Sequence, residues 1–221
     1  MVGDIRDDDA SETVAGVEAA GGQALAVRLD VTDSDSVRTA VETVRRALGS
    51  VDILVNNAGW DRLQPFMDTD EEFWNRVVEV NYLGVLRVTQ AVLPAMIENR
   101  WGRIVNIGSD SARVGSAMES VYSGAKGAVL SFTKTLAREM ARGGITVNAV
   151  CPGPTETPLL TEILEGQQRG ADIISAITRS VPMKRLAQPT EIAAAVSFLC
   201  SAEAGFITGQ TLSVNGGLTM C

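Results

Sequence analysis

Tyr122 and Lys126 stand four residues apart in a stretch of helical periodicity, so both side chains leave the same face of a helix. An ammonium beside a phenol favours the phenolate and lowers a pKa of about 10 toward the range where a general base works. Upstream, Ser109 closes the apolar run Arg103-Ile-Val-Asn-Ile-Gly-Ser, which places a hydroxyl at the carboxyl end of a strand, where open α/β sheets bind ligands. A hydroxyl, a tunable phenol and an ammonium form an acid–base set suited to a secondary alcohol or ketone. The bland alternative for the Tyr/Lys pair alone is a chance helix-surface spacing. The chain has no histidine, which excludes Ser-His-Asp and Cys-His hydrolases and His-based metal sites. Cys151, Cys200 and Cys221 lack CxxC spacing, so neither a zinc site nor a disulfide framework is indicated, and Cys151 and Cys200 are expected to be reduced and buried.

The elements that must position these groups alternate regularly. Short β-branched runs at 24–29, 51–55, 102–107, 145–150 and 211–214 are interleaved with amphipathic stretches at 34–48, 71–98, 121–141 and 189–201. This alternation predicts an α/β fold with a doubly wound, Rossmann-like parallel sheet. The runs Val-Asp-Ile-Leu-Val and Arg-Ile-Val-Asn-Ile are almost continuously apolar, as strands covered on both faces must be. Residues 152–188 resist the pattern: Pro, Gly and polar residues surround short helices at 159–165 and near 173–177, and such an insertion beyond a strand end reads as a lid.

With 221 residues, 45% of them apolar, the chain fits one globular domain spanning 1–221. A net charge of −8 argues against nucleic acid and anionic membrane as partners. No uninterrupted apolar run reaches the roughly 18 residues of a membrane span, and the start Met-Val-Gly-Asp-Ile-Arg-Asp-Asp-Asp is too acidic for a signal peptide, so a cytoplasmic location is expected.

Further strand-end and helix features narrow the chemistry. Asn56-Asn57-Ala58-Gly59 ends one strand with small residues that let backbone approach a flat ligand. Asn81 sits inside an amphipathic helix, where Asn is a poor former, and Pro152-Gly153 ends another strand. Taken in order, the Asn-Asn-Ala-Gly tetrad, Asn81, Ser109, Tyr122/Lys126 and Pro152-Gly-Pro-Thr-Glu-Thr157 resemble the short-chain dehydrogenase/reductase family. The resemblance runs from residue 4 to the C-terminus.

It implies that Tyr122 is the general acid/base, Lys126 its electrostatic partner and ribose ligand, and Ser109 the donor that orients the substrate oxygen. Asn81 would hold a water relaying protons from Lys126, and no metal is required. It implies adenine contacts from Asp30 and Val31, contacts along the cofactor from Asn57, Ala58 and Gly59, and nicotinamide-amide contacts from Thr155 and Thr157 after Pro152 and Gly153. The structural alternatives are a helix-leading turn acid for Asp30 and an N-cap for the threonines. Asp4 takes the place of the acid that binds the adenosine ribose hydroxyls; a carboxylate there repels a 2′-phosphate, so NAD is expected over NADP, although Arg6 lies close by.

One family feature has no counterpart. The glycine-rich TGxxxGxG loop that carries the pyrophosphate on a helix N-terminus does not occur, and Gly21-Gly22 reads as a turn between a helix and the next strand. The expectation is a fold lacking its first strand, glycine loop and first helix, with the functional protein longer by roughly thirty residues. Loss of a central strand would leave an unpaired edge on the strand at 51–55. A chain without that loop has a different possible role, as a non-catalytic subunit acting through association.

The flanks Trp60-Asp61, Gly108 to Ser116, Glu119 and Gly205-Phe-Ile-Thr-Gly-Gln resemble most the bacterial branch that oxidises 2-hydroxycyclohexanecarboxyl-CoA, an alicyclic β-hydroxyacyl thioester. The alternatives are 3-oxoacyl-carrier-protein reduction and other alcohol or sugar dehydrogenation. Arg113 could meet a CoA phosphate or an acidic carrier, or form a surface ion pair; Trp60 could line a ring pocket or pack under the lid. The resemblance further implies a small-molecule substrate and a homotetramer built through the helices at 71–98 and 121–141 and the C-terminal segment.

Overall fold

The structure, a computed structural model, describes residues 1–165 and 170–221. Its elements run β1 (Val2–Asp4), α1 (Asp7–Ala19), β2 (Ala26–Arg28), α2 (Ser34–Leu48), β3 (Ile53–Asn56), α3 (Glu71–Val78) and α4 (Gly84–Asn99). There follow β4 (Gly102–Ile107), α5 (Ser111–Val114), α6 (Ser120–Met140), β5 (Ile145–Pro152), α7 (Pro158–Glu165), α8 (Gly170–Ser180), α9 (Pro189–Cys200) and β6 (Thr211–Val214). All ladders are parallel, in a four-stranded sheet of order β3-β4-β5-β6 and a separate pair β1-β2. The doubly wound α/β reading therefore holds, with the sheet in two pieces. Among the described residues no ladder joins β1 to β3, and on β3 Ile53 and Val55 are 45% and 40% exposed.

Two apolar layers sandwich the central strands. Ile104, Ile145 and Val147 pack with Val88, Val92 and Met96 of α4 and Leu136 of α6, whereas Val105 and Val150 point the other way onto Leu199 of α9. Successive strand residues alternate faces, so Ile104 and Val105 serve opposite layers, which explains the unbroken apolar runs. Each such side chain, once fully buried, contributes about 1.5–3 kcal/mol. Polar residues inside these strands pair with one another. Asn56 Nδ2 donates to Asn106 Oδ1 at 2.8 Å and to Thr89 Oγ1 at 3.1 Å, and Asn106 Nδ2 donates to Thr133 Oγ1 at 2.9 Å. This ladder fixes β3, β4, α4 and α6 in register immediately beneath the strand ends.

Helix boundaries follow their caps. Asp33 accepts the Asp35 N–H ahead of α2, Asp70 accepts the Phe73 N–H ahead of α3, and Gln188 with Glu191 forms a capping box with Pro189 in the first turn of α9. The segment expected as one helix at 71–98 is interrupted: residues Glu79–Leu83 form a π-turn between α3 and α4. By length and composition the helix Glu71–Asn99 could cross a membrane. That departs from the reading of uninterrupted runs, because a few scattered polar residues do not lower its mean hydropathy enough. Its apolar face lies in the core through Val85, Val88, Val92 and Met96. In the expected lid, α8 is longer than the short helix read near 173–177, and residues 166–169 lie outside those described. A parallel bridge between Thr155 and Ala187 closes the base of this insertion. Cys151 is buried, but Cys200 is half-buried.

Candidate active site

Ser109 follows β4, Tyr122 and Lys126 come from the first two turns of α6, and the three meet at the carboxyl end of the sheet. The Ser109 hydroxyl hydrogen-bonds the Tyr122 phenol, and Lys126 Nζ lies 5.7 Å from the centre of the Tyr122 ring while donating to the Ile107 carbonyl at 2.9 Å. Ser109 Oγ also shares a hydrogen bond with Ser111 Oγ at 2.8 Å, which fixes its rotamer. Gly59 closes in from β3: a Cβ there would sit 3.2 Å from Asn81 Oδ1 and 3.6 Å from Lys126 Nζ, so only glycine lets the loop lie this near the ammonium.

The electrostatics correct one expectation. Burial pushes the Tyr122 phenol above its ordinary value, with Glu119 and Asp61 adding to the rise and the Ser109 hydrogen bond opposing it. The expected depression by Lys126 is outweighed because its Nζ sits over the ring rather than the hydroxyl and spends a hydrogen bond on Ile107. Lys126 is 2% exposed, and burial lowers it to about 8. Burial likewise raises the Cys151 thiol to about 11, leaving it a neutral neighbour.

One cleft of about 1910 Å³ brings together Asp4, Asp30, Val31, Asn57, Ala58, Gly59, Ser109, Tyr122, Lys126, Pro152, Gly153, Thr155 and Thr157. Several also have local work. Asp30 Oδ1 accepts from Thr32 N at 2.8 Å and Thr32 Oγ1 at 2.7 Å, the turn role weighed for it from sequence. Thr157 accepts the Leu160 N–H at 3.2 Å as the cap of α7, and Thr155 donates to the Gly153 carbonyl at 2.9 Å. Asp4 accepts the Arg6 N–H at 2.9 Å at the tip of β1. Val31 packs on the core beside Leu29.

Asn81 stands outside the cleft lining. It is fully buried in the π-turn, where Nδ2 donates to the carbonyls of Trp60 at 2.7 Å and Val77 at 2.9 Å, and Oδ1 accepts the Trp60 N–H at 3.3 Å. These bonds clamp the loop after β3 onto the helix. Trp60 packs edge-on against Phe73 at 5.7 Å beneath the Arg76 guanidinium, and Arg113 donates to Ser213 Oγ at 2.8 Å rather than forming a surface ion pair.

Two acids read from the sequence only as part of the substrate-recognising flanks are buried. Asp110 is buried and accepts hydrogen bonds from Ser213 and Asn215, tying the Ser109 loop to β6. Asp61 is buried beside Tyr122. The available signal for Asp110 was its place directly after the strand-end serine; for Asp61 no pattern marks burial.

The set of residues in the cleft suits a dinucleotide: a carboxylate at one end, backbone-bare Asn57–Gly59 in the middle and hydroxyls at the other. The pyrophosphate region is less complete. The first turn of α1 carries Asp7, Asp8 and Asp9, whose charge repels phosphate, and the described residues show no glycine turn opening a helix behind a strand.

Residues 1–219 match the profile of a family described as enoyl-(acyl carrier protein) reductase. Nodulation protein G of Azospirillum brasilense is 46% identical over 201 residues, covering 91% of this chain and 79% of that protein. The 3-oxoacyl-(acyl-carrier-protein) reductase of Escherichia coli is 40% identical over 220 residues, covering 100% of this chain and 87% of its own. An acetoacetyl-CoA reductase of an Acinetobacter species is 41% identical over 207 residues, with coverages of 92% and 81%. Among solved structures, an actinorhodin polyketide ketoreductase with NADPH superposes with a TM-score of 0.93 at 38% identity, covering 98% of this chain and 85% of that one.

Proposed function

The chain belongs to the short-chain dehydrogenase/reductase family, and from that premise we propose that this oxidoreductase interconverts a β-ketoacyl thioester and its β-hydroxyacyl counterpart. The observation that carries the reading is the hydrogen-bonded Ser109–Tyr122 pair with Lys126 beneath it at the strand ends. When bound, a nicotinamide supplies or accepts the hydride and, in its oxidised form, adds a positive charge that favours the phenolate.

In reduction the Ser109 and Tyr122 hydroxyls hold the substrate carbonyl oxygen by two hydrogen bonds. As the carbonyl carbon gains hydride, Tyr122 passes its proton to the developing alkoxide, and the phenolate left behind is countered by the Lys126 ammonium. In oxidation the phenolate takes the alcohol proton. Asn81 supports this indirectly by clamping the loop that carries Gly59, and a water held by Asn81 that relays protons from Lys126 is part of the proposal. Asp4, Asp30, Val31, Asn57, Ala58, Gly59, Pro152, Gly153, Thr155 and Thr157 would line the cofactor.

The thioester class is supported by the similar reductases, which are named for acyl-carrier-protein and CoA substrates. A linear 3-oxoacyl substrate fits at least as well as 2-hydroxycyclohexanecarboxyl-CoA, because the similar reductases are named for such substrates, while Trp60 lines the cleft and also packs on Phe73 and Arg76. NAD is supported by the Asp4 carboxylate; the ketoreductase bound to NADPH, and Arg6 beside Asp4, favour NADP. A cytoplasmic homotetramer is the assembly we propose.

The test is a panel of 3-oxoacyl-CoA, acyl-carrier-protein, cyclic β-hydroxyacyl-CoA, sugar and simple alcohol substrates, each with both cofactors. Turnover confined to sugars or simple alcohols would reject the thioester reading. Titration with NADH and with NADPH by calorimetry separates catalysis from the non-catalytic alternative: absence of binding by both would sink the enzyme reading for this chain.

A further inference from the structure

Asp61 lies in the loop after β3 and is 6% exposed, yet neither carboxylate oxygen has a well-formed hydrogen bond in the protein. The Arg62 backbone N–H offsets its burial only in part. A buried, unpaired carboxylate is costly, and it is retained here among side chains that include Gln64, Met118, Glu119 and Tyr122. Gln64 Nε2 is likewise without a partner, while the Gln64 N–H bonds the Met118 carbonyl at 3.1 Å and pins the two loops together. Asp61 and Glu119 are thus held together on one side of the tyrosine.

The other charged groups around Tyr122 are accounted for. Lys126 lies over the ring from α6, Cys151 approaches from β5, Arg76 of α3 is stacked on Trp60 at 4.0 Å, and Arg62 lies over Phe73 at 5.3 Å. Neither guanidinium pairs with the buried oxygens of Asp61. Asp61 is buried and Glu119 half-buried with Ser116 hydrogen-bonded to its carboxylate, so a charge on Glu119 disfavours a second one on Asp61.

We propose that Asp61, with Glu119 beside it, is a positioning residue, a buried acid behind Tyr122 that sets how readily the phenol gives up and recovers its proton. Burial raises Asp61 to about 7, with Glu119 adding to the rise, and burial raises Glu119 as well. Below that range Asp61 is neutral and leaves the phenolate alone. Above it, the new anion opposes a second negative charge nearby, so the pair restrains Tyr122 as a base when the pH climbs.

The inference rests on Tyr122 being the acid/base, and its test has a readout that needs no turnover. Infrared spectra near pH 6 should show the carbonyl stretch of a protonated carboxylic acid that fades through about pH 7, is missing in Asp61→Asn and titrates at lower pH in Glu119→Gln. In the pH profile of kcat/KM for alcohol oxidation, Asp61→Asn should coincide with the parent enzyme below about pH 7. Above that pH its rising limb should move down by about one pH unit, as expected for removing one charge at short range. A purely structural role would lower activity at every pH and leave the limb in place; that result, or a parent spectrum without the acid band, overturns the proposal. Loss of the site reading itself would appear separately, as undiminished turnover in Tyr122→Phe.

Discussion

At the scale of single residues, chemistry and packing can be separated by substitution. The Tyr122 ring packs with Phe73, Val77 and Ala125, so Tyr122→Phe keeps the contacts and removes only the hydroxyl. Turnover should fall by about 10²–10⁴ with the melting temperature nearly unchanged, measured by steady-state kinetics beside thermal denaturation. Lys126 gives the opposite sign for stability. Its folded pKa is depressed from 10.5 to about 8, so the buried ammonium weighs against folding below about pH 8, and that cost disappears as pH rises toward 10.5. Lys126→Met should therefore abolish turnover yet raise stability at pH 7, by on the order of 1–3 kcal/mol, a gain that vanishes in strongly alkaline buffer. Asp61 behaves conversely: its folded pKa is raised from 3.8 to about 7, so it weighs against folding above that range and not below about pH 4. Chemical denaturation across pH should show Asp61→Asn stabilised only in the upper range. Ser109, Tyr122 and Lys126 could be read from the sequence because strand end and helix spacing fix where side chains point. Asp61 could not, since an acid in a polar loop is exposed by default and its burial arises from Met118 and Tyr122, distant in the chain.

Elements show the same division. Apolar runs identified β3 to β6 within a residue or two, because strands covered on both faces must be continuously hydrophobic. The π-turn at Glu79–Leu83 was invisible, since apolar residues continue through it and the extra residue merely rotates the buried face. Phe73 and Val77 of α3 thereby face Tyr122, while Val88 and Val92 of α4 face the core. Asn81→Ala should remove the clamp on the Trp60 loop, costing about 1–3 kcal/mol for the backbone groups left unpaired and raising KM for the cofactor. The loop after β4 is held from the far side by Asp110, bonded to Ser213 and Asn215 of a different part of the chain. Asp110→Ala should lower kcat more than KM, because Ser109 loses its fixed approach to the substrate oxygen, and pre-steady-state measurement of the chemical step checks this.

For the molecule as a whole, exposed apolar side chains bear on assembly. Phe206, Met220, Phe198 and Leu212 are exposed in the C-terminal part of the sequence, and burial of exposed apolar side chains drives association. Light scattering should give a mass above that of one chain, and Phe206→Glu should shift it downward. The parallel sheet in two pieces has its own consequence for local opening. β1 and β2 hold each other through three residue pairs and, among the described residues, have no ladder to β3, so their amides can open without disturbing the central strands. Hydrogen exchange should resolve two cooperative units: rapid exchange over the first thirty or so residues, and protection limited by global unfolding at Val105, Val147 and Val150. Asp4 sits in the first unit and Lys126 in the second, so a ligand touching both would slow exchange in β1 more than anywhere in β4 or β5.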